Sequence, residues 1–310
     1  MNKKILSNFA LFLTALIWGV SFVAQKAGMD YVGAFSFNFA RSILGGFSLI
    51  PLIFLVKMTT PDNRPKKLKH LQHLYLLKAG CCCGLALFTA MSLQQYSMIS
   101  ASAGKAGFIS ALYIIFVPLI SMFFGAKLEN KIKVSVGLAL VGLYLLCFKG
   151  GLTGFDMYDG LLLIGAFFYG VHILVVNHFS RHVNPIKMSC VQFFVVGLLS
   201  LPFMLMFENP VAANFVAAKT PILYAGILTC GVAYTLQIFG QKFTPPTIAS
   251  IILCMESVFA VVGGSLILHE TMTPRETLGC VFMIIAVVLS QIHLKNIKKG
   301  LTVCQENKVE

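Results

Sequence analysis

Charged residues are scarce in this sequence. Asp, Glu, Lys and Arg together make up 11% of its 310 residues, whereas 57% of the residues are hydrophobic. Soluble domains contain about 25% charged residues, so the composition excludes an ordinary soluble protein. Long polar stretches are almost absent as well, which leaves no room for a folded domain outside a membrane. The composition therefore predicts an all-α integral membrane protein.

Motifs that hold cofactors or metals are also missing. No G-x-x-x-x-G-K-[ST] phosphate loop occurs, since Gly104-Lys105 is followed by Ala106, and ATP is therefore not expected to drive the protein. We place Asp156 and Asp159 in a short external loop, without further metal ligands. The sequence thus predicts no cofactor and no metal. An enzyme acting on lipid is disfavoured because catalytic clusters are lacking.

Acidic residues are the rarer of the two charge types. There are 11 Asp and Glu against 24 Lys and Arg, which gives a formal net charge of +13. Such a charge can indicate nucleic-acid binding, but the basic residues lie in short loops between apolar runs, with no aromatic RNA-binding motif. The nine cysteines indicate no disulfide framework, because eight of them lie inside apolar runs. We predict a lipid bilayer and a small molecule as partners, and no nucleic acid.

Apolar runs of membrane-spanning length recur along the whole chain. Their lengths and breaks predict ten spans, separated by short polar segments. Pro245-Pro246 makes the break before the ninth span secure, because consecutive prolines end a helix. The segment 57–73 is the one sizeable loop that this pattern predicts. The spans are approximately 6–25, 33–56, 74–96, 101–124, 132–148, 157–177, 185–207, 221–241, 247–268 and 274–293.

Lys and Arg are distributed unevenly between the two sides of these spans. With ten spans both termini lie on one side, and that side receives 18 of the 24 Lys and Arg residues. The other side receives five, and Arg41 lies inside a span. Basic residues are enriched in cytoplasmic loops. We therefore predict a multi-pass protein of the plasma or inner membrane with both termini in the cytoplasm.

The second half of the chain repeats the first. A shift of 151 residues places Trp18-Gly19 on Tyr169-Gly170, Pro51 on Pro202 and Arg41 opposite Gln192. Each half has five spans, an odd number, so the two halves must enter the membrane with opposite orientation. An inverted repeat with a binding site at the midplane is a recurring transporter design. We predict a first repeat over 1–150, a second over 151–298 and a cytoplasmic tail over 299–310.

The same residues resemble a known family. Trp18-Gly19 with Tyr169-Gly170, Arg41 in FNFARSILGG, and GFISALYIIFVPL with its counterpart ILCMESVFAVVGGSLILHE are similar to the EamA repeat of the ten-helix drug/metabolite transporters. The resemblance covers about 9–293. It implies ten transmembrane helices, as two inverted five-helix repeats, that carry a small solute. Glu256-Ser257 departs from the Glu-Pro that is usual in the family.

Three charged residues within the spans are candidates for substrate or proton binding. A carboxylate near the middle of a span, such as Glu256, is costly unless it is protonated, paired or faces water. Glu256 can carry a proton or bind a substrate amine, or it can join two helices through a hydrogen bond. Arg41 can pair with a substrate carboxylate or phosphate, or snorkel outward. Lys105 can point into the cavity and favour an anionic substrate, or snorkel at the interface.

Uncharged polar and aromatic side chains complete the list of candidates. His172 titrates near neutrality and can share a proton path with Glu256, or act as a satisfied core donor. Gln94, Gln95, Gln237 and Gln241 can orient a polar solute or join helices, and of these Gln95 and Gln237 are the favoured candidates. Trp18, Phe22, Tyr113 and Tyr234 can form aromatic walls, although core or lipid-facing roles are equally compatible with so Phe-rich a sequence.

These features predict a secondary active transporter with alternating access around a midplane cavity. Proton-coupled efflux of a small metabolite or drug is the favoured function. Uptake or facilitated diffusion fits the same residues, and so does a membrane subunit that binds a partner and transports nothing. Substrate, direction and oligomeric state are left open by the sequence.

Overall fold

The computed structural model describes residues 3–59, 65–101, 103–147, 156–267 and 273–291. Within these ranges the chain is helical and contains no strand. The predicted boundaries at 150/151 and 298/299 and the tail 299–310 lie outside what is described. The all-α prediction is confirmed.

Ten helical spans occupy the ten predicted positions. Eight of the described helices are long and apolar enough to cross a membrane, the ninth span is shorter, and the fifth has 18 residues. Seven spans are single helices: Lys3–Gly28, Ala34–Thr59, Lys66–Ser97, Asn130–Cys147, Met157–Ser180, Pro185–Phe207 and Pro274–Gln291. The fourth comprises Ala103–Ala111 and Tyr113–Phe123, and the ninth Pro246–Leu253 and Met255–Ile267. The eighth comprises Lys219–Leu223, a π-helix Tyr224–Ala233 and Tyr234–Gln241, after a short helix Ala212–Ala217.

In the loop predicted over 57–73, the described residues 57–59 and 66–73 are helical. The second span continues to Thr59, and the third begins at Lys66, directly after Pro65. Residues 66–73 contain no helix breaker, and most are Lys, Leu or Gln, which favour helix. The third span therefore begins about two turns before its apolar part. The apolar run therefore located the membrane-embedded part of this helix but not the residue at which the helix begins.

Contacts between the spans follow a two-fold pattern. The second span packs on the seventh and the fifth on the tenth, so each of these four packs on its own repeat counterpart. The third span packs on the sixth. Its repeat counterpart, the eighth span, packs on the first, which is the counterpart of the sixth. In the same way, the first span packs on the ninth, and its counterpart, the sixth span, packs on the fourth. This exchange of equivalent partners is what two inverted repeats produce, and the predicted architecture is confirmed.

The fourth and ninth spans are interrupted at equivalent positions and meet there. Leu112 interrupts the fourth and Cys254 the ninth, 142 residues later. At the first interruption the Ile115 N–H donates to the Leu112 carbonyl at 2.9 Å, instead of to the carbonyl four residues back. The Ala111 carbonyl is thereby released from the helix, and it accepts a hydrogen bond from Cys254 Sγ at 3.3 Å. The interruptions therefore join the two halves near the middle of the molecule.

A glycine sets the spacing between the first and ninth spans. A Cβ added at Gly19 would lie 2.7 Å from the Glu256 carbonyl oxygen and 2.6 Å from Phe259 Cβ. Only a residue without a side chain permits two helices to approach so closely. Gly19 thus holds the helix that carries Glu256 directly against the first span.

Candidate functional site

A cavity lies between the two halves. Its volume is about 30 Å³, which is room for about two water molecules. Eight lining residues come from the first half and four from the second. They are Trp18, Ser21, Phe22, Gln25, Arg41, Gln94, Ser110, Tyr113, Tyr169, Thr229, Tyr234 and Glu256.

The cavity reaches from the middle of the spans towards one membrane face. We call the face at which the first span begins the N-terminal face, and the face at which it ends the opposite face. Trp18 and Glu256 lie near the middle of their spans, whereas Gln25 and Gln94 lie three residues before the first and third spans end. The first and third spans both run from the N-terminal face to the opposite face. The cavity therefore extends towards the opposite face.

The spans are joined by hydrogen bonds on the other side of the cavity. Thr14 Oγ1 donates to the Ala233 carbonyl at 3.0 Å. Nearer the N-terminal face, Asn8 Nδ2 donates to Gln291 Oε1 at 2.9 Å and Thr244 Oγ1 donates to Asn8 Oδ1 at 3.1 Å. The first, eighth and tenth spans are thus tied together between the cavity and the N-terminal face.

Glu256 is buried in the cavity wall. It is the second residue of the helix Met255–Ile267, just after the interruption at Cys254, and its exposed fraction is 3%. Tyr113, the first residue after the interruption at Leu112, donates its hydroxyl to Glu256 Oε1 at 3.0 Å. Two interrupted spans therefore deliver a carboxylate and a phenol to one point of the cavity.

Arg41 is buried in the same wall. Its exposed fraction is 2%, so it does not snorkel outward, and its guanidinium lies 5.3 Å from the ring centre of Phe37. Its Nε and Nη2 atoms have no hydrogen-bond partner among the described residues. No carboxylate of the described chain lies within the 4.0 Å of an ion pair with it.

Aromatic rings form much of the cavity surface. Trp18 packs on Tyr234 with ring centres 4.7 Å apart. Tyr234 in turn contacts Phe193 behind the wall, at 5.1 Å between ring centres. The structure places the predicted Trp18, Phe22, Tyr113 and Tyr234 in the wall and adds Tyr169, the repeat counterpart of Trp18.

Hydrogen-bonded polar side chains line the part nearer the opposite face. Gln94 donates to Ser110 Oγ at 2.7 Å and accepts from the Tyr169 hydroxyl at 2.9 Å. Thr229 donates to Ser21 Oγ at 3.0 Å. Sequence reasoning named Gln94 among the amides that could orient a solute, but it did not select Ser21, Ser110, Tyr169 or Thr229. Gln94 differs from the selected Gln95 by one position, and no sequence signal separates the two.

Gln95 and Gln237 are buried but do not line the cavity. Gln95 donates to the Gln25 carbonyl at 3.3 Å and so joins the third span to the first. Gln237 lies inside the helix packing, and neither atom of its amide has a partner within the described chain. The structure therefore favours a helix-joining role for Gln95 over solute binding.

Lys105 does not point into the cavity. Its amine lies 2.6 Å from a carboxylate oxygen of Asp159, across the boundary between the two halves. Asp159 is not in a loop, as the sequence suggested, but in the first turn of the sixth span, with an exposed side-chain fraction of 1% against 38% for Lys105. Asp156 and Asp159 form a reciprocal capping box, which is why this helix begins there.

His172 lies behind the cavity wall. Its Nε2 is 3.3 Å from Gln192 Oε1, and its ring centre is 5.9 Å from that of Tyr234. These contacts join the sixth span to the seventh and to the eighth. No described contact links His172 to Glu256, so the geometry favours the core-donor interpretation over a shared proton path.

A profile described as "EamA-like transporter family" matches residues 5–148 and again residues 157–291. The chain belongs to this family. Its membership in the drug/metabolite transporter superfamily confirms the resemblance seen in the sequence. The EamA chain is accordingly a multi-pass membrane protein of a transporter family.

Relatives cover nearly the whole EamA chain. A protein of Archaeoglobus fulgidus named as an uncharacterized transporter is 30% identical over 94% of this chain and 88% of its own length. The inner membrane transporter YedA of Escherichia coli K12, also named as uncharacterized, is 23% identical over 90% and 89%. A crystal structure of another protein aligns with a TM-score of 0.70 and 16% identity, over 92% of this chain and 98% of that chain. At that identity the likeness shows the fold alone.

Proposed function

We propose that this protein exports a small metabolite or drug in exchange for protons, by alternating access around the cavity between its two halves. The cavity, widened when the two halves move apart, holds the solute, and Glu256 binds and releases the proton. The protein lies in the plasma or inner membrane with both termini in the cytoplasm, as the excess of Lys and Arg on the N-terminal face supports.

One observation carries the proposal. Glu256 is 3% exposed, lines the cavity, and is hydrogen-bonded by the hydroxyl of Tyr113 from the other half. A buried carboxylate without a cationic partner is stabilised when it takes up a proton, because burial disfavours the charged form. Proton uptake at this point would therefore respond to any movement that changes how the two halves meet.

The two faces of the protein support alternating access. The cavity extends towards the opposite face, while the Thr14–Ala233 and Asn8–Gln291 hydrogen bonds lie between the cavity and the N-terminal face. Opening to the N-terminal face would require these contacts to separate. The interruptions at Leu112 and Cys254 give the fourth and ninth spans a place to bend.

The test uses purified protein in proteoliposomes that contain a pH-sensitive dye. Pools of amino acids, nucleosides, sugars, vitamins and cationic drugs are added to the wild type, to Glu256→Gln and to Glu129→Gln. Glu129 is a matched control, because its side chain is 71% exposed and paired with Lys131 at 3.2 Å, away from the cavity.

We expect solute-dependent proton movement in the wild type and in Glu129→Gln, and none in a folded Glu256→Gln. Proton movement retained in Glu256→Gln would refute the assigned role of Glu256. Exchange of labelled solute without proton movement would indicate facilitated diffusion and contradict proton coupling. Absence of any flux, together with a co-purifying membrane partner, would favour a subunit that does not transport.

A further inference from the structure

We propose that the transported solute carries an anionic group, a carboxylate, and that Arg41 binds this group inside the cavity. The inference rests on the proposed function, because it names the substrate class of the same cavity. It does not depend on proton coupling or on the direction of transport.

The hydrogen bonds of Arg41 are incomplete in the structure. A guanidinium presents five N–H donors and is always charged. Arg41 is 2% exposed, yet its Nε and Nη2 have no partner among the described residues. A buried cation without hydrogen bonds or a counter-ion is strongly unfavourable. An anion in the cavity would supply both.

No group of the described chain takes that place. The carboxylate of Glu256 accepts a hydrogen bond from Tyr113 and is not within ion-pair distance of Arg41. The ring of Phe37 attracts the positive charge from 5.3 Å but accepts no N–H in its plane. Lys105 differs in this respect, because Asp159 neutralises it.

The inverted repeat indicates that the fold itself does not need a cation at this position. The counterpart of Arg41 in the second half is Gln192, which is equally buried, in the same part of the seventh span. There the amide oxygen lies 3.3 Å from His172 Nε2, and the uncharged amide nitrogen has no partner among the described residues. One half thus places an amide where the other places an unpartnered guanidinium. The charge is best explained by what enters the cavity.

The cavity also limits the kind of anion. Arg binds planar carboxylates through two parallel hydrogen bonds. The wall offers one guanidinium and one carboxylate, Arg41 and Glu256, so a singly charged group is balanced better than a doubly charged phosphate. The rings of Trp18, Tyr169 and Tyr234 can contact an apolar body attached to the anion. A small monocarboxylate with an apolar part fits these features.

The chain contains a built-in reporter for the test. Trp18 is its only tryptophan and lies in the cavity wall, so tryptophan emission reports on the site alone. Full-length protein in lipid vesicles is titrated with acids and their uncharged amides: benzoate with benzamide, and nicotinate with nicotinamide. Phenyl phosphate is titrated as the alternative anion. No flux or pH gradient is needed, so the result is independent of the proton assay.

We expect acids to change Trp18 emission at concentrations at least about tenfold lower than their amides, because only the acids form charged hydrogen bonds with Arg41. Arg41→Gln, which installs the residue of the other repeat, should abolish this preference, and Arg41→Lys should keep part of it. Lys105→Gln is the control that removes a cation outside the cavity, and it should behave as the wild type.

Three results would overturn the inference. They are equal binding of acids and amides, an undiminished acid preference in Arg41→Gln, and no response to any of the acids. Tighter binding of phenyl phosphate than of benzoate would overturn the assignment to a carboxylate. If Arg41→Gln does not fold, the comparison of acids with amides in the wild type and in Arg41→Lys still decides the matter.

Discussion

Replacing Gly19 by alanine should push apart the two helices that flank the site. The new Cβ would lie 2.6 Å from Phe259 Cβ, 2.7 Å from the Glu256 carbonyl oxygen and 2.9 Å from the Ala260 backbone nitrogen. None of these atoms can move aside by a change of rotamer, because two belong to the backbone and the third is a Cβ. The first and ninth spans must therefore separate or shift.

The expected cost follows from this geometry. Overpacking a tight contact destabilises by about 1–3 kcal/mol, and the better helix propensity of alanine returns up to about 1 kcal/mol. At Gly170, the repeat counterpart, the nearest atom is Phe116 Cβ at 3.1 Å, so a shift of a few tenths of an ångström suffices. At Gly137 nothing described lies within 4 Å, and alanine should be neutral or slightly stabilising.

The free energy of unfolding of the three variants would be measured in mixed detergent micelles by circular dichroism. We expect Gly19→Ala to lose the most, Gly170→Ala less, and Gly137→Ala nothing. Gly137→Ala controls for the substitution itself, because it makes the same change inside a helix without a neighbour. A Gly19→Ala protein as stable as Gly137→Ala would refute the close approach of the first and ninth spans.

Two further predictions concern contacts between the halves at the opposite face. In a double-mutant cycle of Lys105→Met and Asp159→Asn, the free energies of unfolding should show a coupling of about 1 kcal/mol. This is the upper end of the range for ion pairs with an exposed partner. Strictly additive effects would contradict the ion pair. Glu208 accepts hydrogen bonds from the Phe35 and Ser36 N–H groups at 2.9 and 2.8 Å, at the start of the second span. Glu208→Ala should therefore cost about 1–2 kcal/mol, like the loss of a helix cap, and a change no larger than that of Glu129→Ala would argue against this capping.

The architecture could be predicted because it depends on properties that the sequence states directly. A span needs about 20 apolar residues whatever its neighbours are, so run lengths locate the helices. The offset of 151 residues that aligns Trp18-Gly19 with Tyr169-Gly170 indicates a repeat, and an odd number of spans requires its inversion. Prediction was wrong where a helix continues beyond the apolar run, as at Lys66, because helix formation does not end where the lipid does.

The residues that line the cavity could be predicted only in part. Glu256 and Arg41 stood out because any charge inside a span is costly, whatever surrounds it. Gln94 and Gln95 could not be separated, although one lines the cavity and the other joins two helices. The lipid-facing and buried sides of such helices are equally apolar, so no amphipathic stripe reveals which way a residue points.

The sequence by itself determined the membrane class, the ten spans and the inverted repeat, because apolar length and periodic offsets are local properties of the chain. Only the tertiary structure decided which side chains contact each other. Lys105 meets Asp159, 54 positions away, and Tyr113 meets Glu256 at the crossing of two interrupted helices. It also leaves Arg41 facing the cavity without a partner in the described chain. Such pairings depend on how the two halves pack against each other, and packing is a property of all ten spans at once.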